Sequence, residues 1–484
     1  MVTLFVTREG ASADFCLHYD RKHELTMCPI LSESSICYRL APDRQLLDGK
    51  CGTSDCPHCA DGQRVATHDM PPCLLSQQHH SVIGYDGLKR IALMVTPEAG
   101  GSFRDQAWEA ISTIRAIVHQ QHEPMAVTMQ TVFVNDAANV PAAQQLFAAY
   151  YGEQMPLTLY VVQPPCDGRA LAIEAWAIST RTAKVEYLSP YLVTVTHDGL
   201  RWIHASAGAL EHSDHPAYDQ ASEAFEGLRS ALEEAGASFR DVARVWLYQG
   251  GITEMEGDLE RYRELNRART DFFDQNPFDM RPLAEQKGTT IYPASTGIGT
   301  MGRGLMTSCL ALQTDRADVQ MLPLENPLQT SAFSYPKNYS IKSPKFSRAM
   351  AMRIGDHITT WISGTASIES SETIHIGDVE KQTEQTITNI ERLIDAANFE
   401  RSGWTGAGAT LDDLAKIRVY VKRPEDFAIC RAVCERRLGR IPAIYAQADV
   451  CRPDLLVEIE GVAFSLLRKP LPDHKRNPTP CAAS

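Results

Sequence analysis

The 484-residue chain is predicted to adopt an α+β fold, in which three tandem copies of one unit follow a cysteine-rich N-terminal extension. Three observations predict this fold. Apolar residues switch repeatedly between the two-residue period of strands and the three-to-four-residue period of helices. The order strand, helix, strand, helix, strand occurs three times, each time over roughly a hundred residues. The length allows roughly two to four domains of ordinary size.

The C-terminal copy shows the unit most clearly. A strand is predicted at 358–364, and an amphipathic helix follows over 378–398. After a glycine-rich stretch come a strand at 417–421, a helix at 425–438 and a buried strand at 455–464. The last strand closes the unit.

The same order is predicted twice more, nearer the N-terminus. Strand–helix–strand patterns are common, but three copies in one order favour a true repeat. The middle copy comprises a strand at 202–208, a helix at 221–235, a strand at 242–248, a helix at 259–273 and a strand at 305–312. The first copy comprises 91–95, 108–118, 127–134, 140–151 and 171–178. The predicted regions are therefore an extension (1–75), a degenerate unit (76–187), a second unit with its linker (188–345), a third unit (346–470) and a flexible tail (471–484).

The composition narrows the classes of function. The net charge of −13 argues against a general basic surface for nucleic acid, because phosphate neutralisation supplies most non-specific affinity. It leaves room for a small anion held in one local basic site. The N-terminus lacks a secretion signal, and no apolar run approaches the ~18–20 residues of a membrane helix. A cytoplasmic protein is predicted.

Cysteines are concentrated near the N-terminus. Cys51, Cys56 and Cys59 have spacings that would supply half of a tetrahedral zinc site. His68 and Cys73 follow, but the second half is irregular, so reduced thiols are favoured and zinc is the alternative. No cofactor is predicted.

The closing strands of the three copies differ at one chemically important position. Aligned on their common pattern, Glu458 of the third copy stands opposite Ala172 and Met306. Glu458 and Glu460 share one face of a strand, since side chains alternate. Burial and like-charge repulsion raise the pKa of such a carboxyl, as a general acid near neutral pH requires. One active site, in the third copy, is predicted; for Glu460 a functional and a structural role are equally open.

Several segments of the third copy carry a family resemblance: 362–364, 385–390, 417–421, 441–443 and 457–463. Together they resemble the Rid/YjgF superfamily, small α+β domains that usually form trimers around three interfacial sites. The resemblance implies that three copies in one chain close the trimer internally. We therefore expect a monomer with a pseudo-threefold core.

The residue after Pro442-Ala443 departs from the Rid imine deaminases, which have an arginine there to bind the substrate carboxylate. This chain has Ile444. The linker segments 323–329, 334–340 and 343–349, with 292–299 and 451–458, resemble instead the chorismatases, Rid-like enzymes that cleave chorismate. This resemblance spans about 188–468, with the first unit as an additional copy before it.

The chorismatase resemblance implies roles for particular residues. Glu458 would protonate the enolpyruvyl ether and Arg431 would bind one substrate carboxylate, because an arginine fork grips a carboxylate bidentately. The resemblance names further substrate contacts at Tyr339, Arg348 and Tyr445. Gly364 and Cys451 are two small residues of the substrate pocket, and this pair is typical of the branch that makes 3-hydroxybenzoate. The expected partner is the dianion chorismate, with no nucleic acid and no membrane.

Three alternatives stay open at this point. The product of the ring could be a dihydroxycyclohexadiene carboxylate, as in the other chorismatase branch. The chain could be a Rid-type imine or enamine deaminase, which Ile444 disfavours. It could also be a metabolite-binding protein without catalytic activity.

Overall fold

The computed structural model describes residues 74–85, 88–209, 215–276, 291–336 and 342–468, together with the backbone of four N-terminal strands. These strands form one small sheet in the order β3-β2-β1-β4: β1 (Val2–Val6), β2 (Phe15–Tyr19), β3 (Leu25–Cys28) and β4 (Ile36–Leu40). The possible zinc ligands Cys51, Cys56 and Cys59, the predicted substrate contact Tyr339 and the tail 471–484 lie outside the described residues.

Three larger units follow along the chain. The first contains β5 (Leu74–Ser76), β6 (His80–Tyr85), β7 (Leu88–Val95), α1 (Phe103–His119), β8 (Met125–Val134), α2 (Val140–Tyr151), β9 (Leu157–Val162) and β10 (Leu171–Ser179). The second contains β11 (Lys184–Ser189), β12 (Leu192–His197), β13 (Leu200–Ala209), α3 (Ala217–Glu234), β14 (Val242–Gly250), β15 (Met255–Glu256), β16 (Leu259–Glu260), α4 (Arg261–Gln275), β17 (Ala294–Thr300) and β18 (Leu305–Thr314). The third contains β19 (Val319–Leu324), β20 (Ala349–Ile354), β21 (His357–Ala366), β22 (Ile368–Glu369), β23 (Glu372–Thr373), α5 (Val379–Ile394), α6 (Ala396–Arg401), β24 (Leu414–Val421), α7 (Phe427–Leu438), β25 (Ala443–Gln447) and β26 (Val457–Leu466).

Each unit has one six-stranded sheet, and the strand order is the same in all three. The orders are β5-β6-β7-β10-β8-β9, β11-β12-β13-β18-β14-β17 and β19-β20-β21-β26-β24-β25. In every sheet the last two strands of this order are parallel and the other pairs are antiparallel. The repeat read from hydrophobic periodicity therefore corresponds to a threefold repeat of one topology.

Local sequence explains where the helices begin and which face they bury. Ser102 and Asp105 form a capping box at the start of α1, and the Asp378 side chain accepts the Lys381 N–H at the start of α5. In α5 the apolar residues recur at helical spacing and pack against the third sheet. Each sheet thus carries its helices on one face.

The opposite faces of the three sheets meet in one shared core. Trp176, Trp202 and Trp361 each come from a different sheet and all belong to this core, and the rings of Trp202 and Trp361 lie 5.9 Å apart. Aromatic contacts of this kind add to the free energy of apolar burial. Side chains on these inner faces are therefore positioned by two units at once.

The third sheet begins before the linker. Its first strand, Val319–Leu324, pairs with Ala349–Ile354 across the whole linker, whereas the sequence interpretation placed 319–324 in the second region. This pairing depends on a long-range contact that hydrophobic periodicity does not report. Among the described residues, no helix is long and apolar enough to cross a membrane.

Candidate active site

Glu458 lies on the central strand β26 and points into the space between units. Its neighbours Val457 and Ile459 pack under the helices of the third unit, so strand alternation turns Glu458 and Glu460 to the opposite, shared face. Glu458 pairs with Ala366 on β21 and Tyr420 on β24 and is only 4% exposed. The predicted acid is therefore a buried carboxyl.

A bulge in the neighbouring strand makes room for this carboxyl. The register between β21 and β26 shifts between Ile362 and Thr365. Gly364, within the bulge, lies against Glu458, and a Cβ placed on this glycine would overlap Glu458 Oε1. The absence of a side chain at 364 is thus a steric requirement for the Glu458 position.

The second unit holds this bulge through two adjacent residues of β17. Gly364 N–H donates to Thr296 Oγ1 at 2.9 Å, and Ser295 N–H donates to Ser363 Oγ at 2.9 Å. Ser363 Oγ in turn donates to Ser347 O at 2.7 Å. The acid therefore sits on the third unit, while the second unit fixes the strand beside it.

Glu460 lies in a buried ion-pair network. It pairs with Arg244 of the second unit at 2.7 Å and with Arg418 of the third at 2.9 Å. It also accepts the Thr296 hydroxyl and the Tyr420 hydroxyl. Two guanidinium partners and two hydroxyl donors satisfy this buried carboxyl group, so Glu460 organises the interface between the second and third units.

The same network reaches the first unit. The Glu174 carboxylate of β10 is hydrogen-bonded by Lys416 and Arg418, and all three side chains are buried. These cations hold the pKa of Glu174 at about 2, against the effect of its burial. All three units therefore contribute charges to one central cluster.

Glu458 differs from these carboxylates because no cation of the described residues forms an ion pair with it. Among the residues the structure describes, none hydrogen-bonds its carboxyl group. Burial, and next the negative charge of Glu460, raise the pKa of Glu458 to about 8, while Arg244 and Arg348 act in the opposite direction. Glu458 is therefore mostly protonated at neutral pH, as a proton donor must be.

Two buried arginines lie near the site, since both interact electrostatically with Cys451 and Arg348 interacts also with Glu458. Arg269 on α4 and Arg348 before β20 both lie over the Phe346 ring, at 5.6 and 5.3 Å from its centre. In each guanidinium the Nε–H group is buried without an acceptor. Neither forms an ion pair with a carboxylate within the described part of the chain. Glu325 accepts the Arg348 backbone N–H and interacts with the Arg348 charge without forming an ion pair with the guanidinium. Both guanidinium groups therefore keep donors that an anionic ligand could use.

Neighbouring side chains orient these arginines. Arg269 donates to Asn266 Oδ1 and is hydrogen-bonded to Tyr262, while Arg348 donates to the Tyr335 hydroxyl at 2.5 Å and to Thr330 O at 3.1 Å. All these partners are neutral. These hydrogen-bond partners fix the positions of the two guanidinium groups without neutralising their positive charge.

Two more side chains border Glu458. Burial raises the pKa of Cys451 to about 12, and the neighbouring Glu458 adds to this, so the thiol is neutral and not a nucleophile at physiological pH. The Tyr262 ring packs against Gly297 of β17 and interacts electrostatically with Cys451 and Glu458. Both therefore act as walls of the site.

The structure brings four of the predicted site residues together: Glu458, Gly364, Cys451 and Arg348. It does not bring Arg431 or Tyr445 to Glu458. Arg431 is an exposed residue of α7 that pairs with Glu435 at 2.8 Å. Tyr445 packs under the helices, against Phe427, on the face of the third sheet opposite Glu458.

The physical reason is that the two sides of the third unit face different units. The α7 and β25 side of the third unit faces the first unit, where Tyr445 O accepts the Cys166 N–H and Pro164 O accepts the Gln447 N–H. The side of the third unit that carries Glu458 faces the second unit instead, whose Tyr262 interacts with Glu458 and whose Thr296 accepts the Gly364 N–H. In this structure Arg431 and Tyr445 therefore do not lie beside Glu458, and their contact with the substrate stays a prediction. Ile444 is buried in the shared apolar core.

The sequence interpretation missed the contribution of α4. Tyr262, Asn266 and Arg269 are spaced at i, i+4 and i+7 and so lie on one helical face. Asn266 and Arg269 are buried on that face. A polar stripe on the buried side of a helix was the signal that could have identified them. Within the described residues, no cluster of His, Cys, Asp and Glu could hold a metal ion.

Comparison with known proteins gives the family. A model described as chorismatase FkbO/Hyg5-like, N-terminal, matches residues 174–311, and one described as endoribonuclease L-PSP matches 341–465. A 3-hydroxybenzoate synthase of Streptomyces hygroscopicus is 35% identical over 279 residues, 56% of this chain and 76% of that protein. The chain belongs to the chorismatase family. A chorismatase of Streptomyces rapamycinicus is 33% identical over 276 residues, 55% of this chain and 78% of that protein.

A solved chorismatase structure shares the fold of this chorismatase-family chain. It superimposes with a TM-score of 0.54 at 24% identity, covering 77% of this chain and 98% of that one. The second and third sheets with their helices account for less than 77% of this chain. The superposition therefore also includes residues that precede the second unit or lie in its connections.

Proposed function

We propose that this chain converts chorismate to pyruvate and 3-hydroxybenzoate. The observation that carries the proposal is a buried Glu458, whose pKa is raised to about 8, together with two nearby buried arginines that form no ion pair within the described residues. Chorismate has two carboxylates and an acid-labile enolpyruvyl ether, which match these two features. The name of the 35% identical relative, 3-hydroxybenzoate synthase, agrees with it.

The proposed reaction starts with proton transfer. Protonated Glu458 donates its proton to the methylene carbon of the enolpyruvyl group, which produces an oxocarbenium ion at the ether carbon. Water adds to that carbon, the bond from that carbon to the ring oxygen breaks, and pyruvate leaves with the added oxygen. Elimination of one water molecule from the ring then gives 3-hydroxybenzoate. The Glu458 carboxylate regains a proton as the ring product forms. No electrons are exchanged with a cofactor.

Arg269 and Arg348 are the residues proposed to bind the two substrate carboxylates. Their forks stack on one aromatic ring and are held by Asn266, Tyr262 and Tyr335. Charge-assisted bonds from a fixed guanidinium are among the strongest that proteins form with a carboxylate. A dianion would thus supply the carboxylate ion-pair partners that these two guanidinium groups lack among the described residues.

The proposal of 3-hydroxybenzoate as the ring product depends on the residues that line the site beside Glu458. Gly364 and Cys451 both border Glu458, and this pair is typical of the branch that makes 3-hydroxybenzoate. The atoms of pyruvate and 3-hydroxybenzoate together equal those of chorismate, so this route consumes no net water. The alternative dihydroxycyclohexadiene carboxylate takes up one water molecule.

The test is direct. Purified protein is incubated with chorismate, pyruvate is quantified enzymatically, and the ring product is identified by chromatography and mass. We expect equal amounts of pyruvate and 3-hydroxybenzoate. Pyruvate no higher than in a buffer control contradicts the proposal, and a ring product heavier by one water assigns the other branch. Ammonia release from imines would support a deaminase, and saturable binding without turnover a metabolite-binding protein.

We also propose that the three units reproduce, within one chain, the trimer of single-unit Rid proteins. The identical strand orders and the shared core support this arrangement. A monomer in the cytoplasm is the corresponding expectation. Light scattering of the full chain tests the first point and cell fractionation the second.

A further inference from the structure

A further buried arginine, with no acidic partner among the described residues, lies in the shared core between the first and second units. Arg90 on β7 is 8% exposed, and its guanidinium lies 5.3 Å from the Trp176 ring and 5.5 Å from the Trp202 ring. Among the described residues, nothing accepts a hydrogen bond from it and no carboxylate pairs with it. Its donors are therefore unused by the protein.

This guanidinium lines a small cavity. The other lining residues are Thr128, Trp176, Ala177, Ile178, Val195, Trp202 and His204. The cavity has room for about one water-sized group. Its walls are otherwise aromatic and aliphatic, so a polar occupant would find its hydrogen-bond partners at only a few positions.

His204 is the second polar group of the cavity. It is 4% exposed, and its Nδ1 has no hydrogen-bond partner. Burial, and next the charge of Arg90, lower the pKa of His204 to about 3, so the ring is neutral. His197, whose Nε2 accepts the Trp202 Nε1–H, is likewise neutral, with a pKa lowered to about 4 by burial. Arg90 is therefore the charge that decides which ligand fits.

We propose that this cavity binds one small monoanion, of the size of chloride, between the first and second units. Stacking on two tryptophans compensates part of the cost of burying the guanidinium but satisfies none of its N–H donors. An anion satisfies donors and charge together. The size of the cavity excludes carboxylates as large as the substrate, and a neutral ring at His204 tolerates the anion as a neighbour.

Bromide is the probe for the experiment. The full-length protein is crystallised in sodium bromide in place of chloride, and anomalous scattering is recorded at the bromine edge. We expect a bromide peak within hydrogen-bond distance of the Arg90 guanidinium. In solution, we expect the melting temperature to be several degrees higher in potassium chloride than in potassium gluconate of equal concentration.

Variants separate this site from general salt effects. Arg90→Met should lose both the peak and the chloride dependence, whereas Arg353→Met should keep both, since Arg353 stacks on Trp404 in the third unit and faces Asp318. If Arg90→Met does not fold, the bromide peak and the chloride dependence of the melting temperature in the wild-type protein still test the proposal. A cavity that holds only water at saturating bromide overturns the proposal. A bromide peak without any chloride effect on melting also overturns it, since it indicates an adventitious ion only.

Discussion

Thr296 on the second sheet accepts a hydrogen bond of 2.9 Å from the backbone N–H of Gly364 on the third. The same hydroxyl donates to Glu460 and accepts from Arg244, so it uses its donor and both acceptor sites. One buried threonine thereby connects the bulge beside Glu458 to the ion pair beneath it. The position of the proposed acid depends on a residue of another unit.

Replacing this threonine tests that dependence. Thr296→Val keeps the shape but removes three hydrogen bonds, which leaves Gly364 N–H and the Glu460 carboxylate short of partners. Because one buried unsatisfied group costs about 1–3 kcal/mol, we expect kcat for pyruvate release to fall roughly tenfold to hundredfold. Thr296→Ser restores the hydroxyl and should recover most of the rate. A Val variant with wild-type kcat and pH profile would contradict the role.

Gly364 provides a steric test of the same bulge. Gly364→Ala places a methyl group on the Glu458 carboxyl and within 3.1 Å of Thr296 Cγ2. Since Glu458 must move to avoid it, we expect pyruvate release to fall at least about tenfold, with a changed ratio of ring products. Gly100→Ala is the control, because its methyl group would meet nothing closer than Arg169 Nη1 at 4.0 Å. Equal loss in both variants would exclude a local effect.

Glu458→Gln should abolish turnover and stabilise the fold. A proton donor typically contributes 10²–10⁴-fold to the rate. With a pKa of about 8 in the folded state and an ordinary glutamate pKa of 4.5 in the unfolded chain, the wild-type carboxyl costs no stability below pH 4.5. The cost grows as pH rises to 8, because only the unfolded chain releases the proton. At about 1.4 kcal/mol per pKa unit, we expect the variant to gain up to about 3 kcal/mol at pH 7.

Denaturant unfolding at pH 5 and pH 7 measures this gain, which should be small at pH 5. Glu435→Gln, at an exposed ion pair with Arg431, is the matched control and should change neither property. Retained activity in Glu458→Gln would reject Glu458 as the acid. A loss of stability at pH 7 would reject the raised pKa.

The pH dependence of wild-type activity follows from the same group. Glu458 donates a proton only below its pKa of about 8, so kcat/KM should be level near neutral pH and fall tenfold per unit above pH 8. The bound dianion disfavours ionisation of Glu458, so the fall in kcat should begin at higher pH. Initial pyruvate rates from pH 6 to 10, with circular dichroism to verify folding, measure both. A rate that rises through pH 8 would contradict acid catalysis by Glu458.

Substitutions can compare Arg269 and Arg348, the residues proposed to bind the substrate carboxylates, with Arg431, the residue that the family resemblance suggested. Arg269→Met and Arg348→Met each remove one fork from the site, and a bond to a charged group contributes about 1.5–3 kcal/mol. We therefore expect KM for chorismate to rise roughly tenfold to hundredfold in each. Arg431→Met, on the exposed side of α7, should leave KM unchanged. Steady-state kinetics measure KM for chorismate in the three variants. A raised KM in Arg431→Met alone would indicate that Arg431, and not Arg269 or Arg348, binds the substrate.

Much of the fold could be predicted from local patterns. The helices and the long strands of all three units occur where the periodicity placed them, for example the predicted strand at 417–421 within Leu414–Val421. The early strand Val319–Leu324 was assigned to the wrong unit, because its partner lies across the linker. Short edge strands such as Ala443–Gln447 carry too few residues for their period to be recognised.

The sequence by itself determined the repeat, the family resemblance and the acid, because Glu458 differs from its counterparts in the other copies. Only the tertiary structure decided which side chains face that acid. Arg431 lies in the same unit as Glu458 yet faces solvent, whereas Arg269 lies in the preceding unit and faces the site. A site between two units is built from residues that are distant along the chain. The distance between these residues in space depends on how the sheets pack against each other. The spacing of residues along one strand or helix does not report that packing.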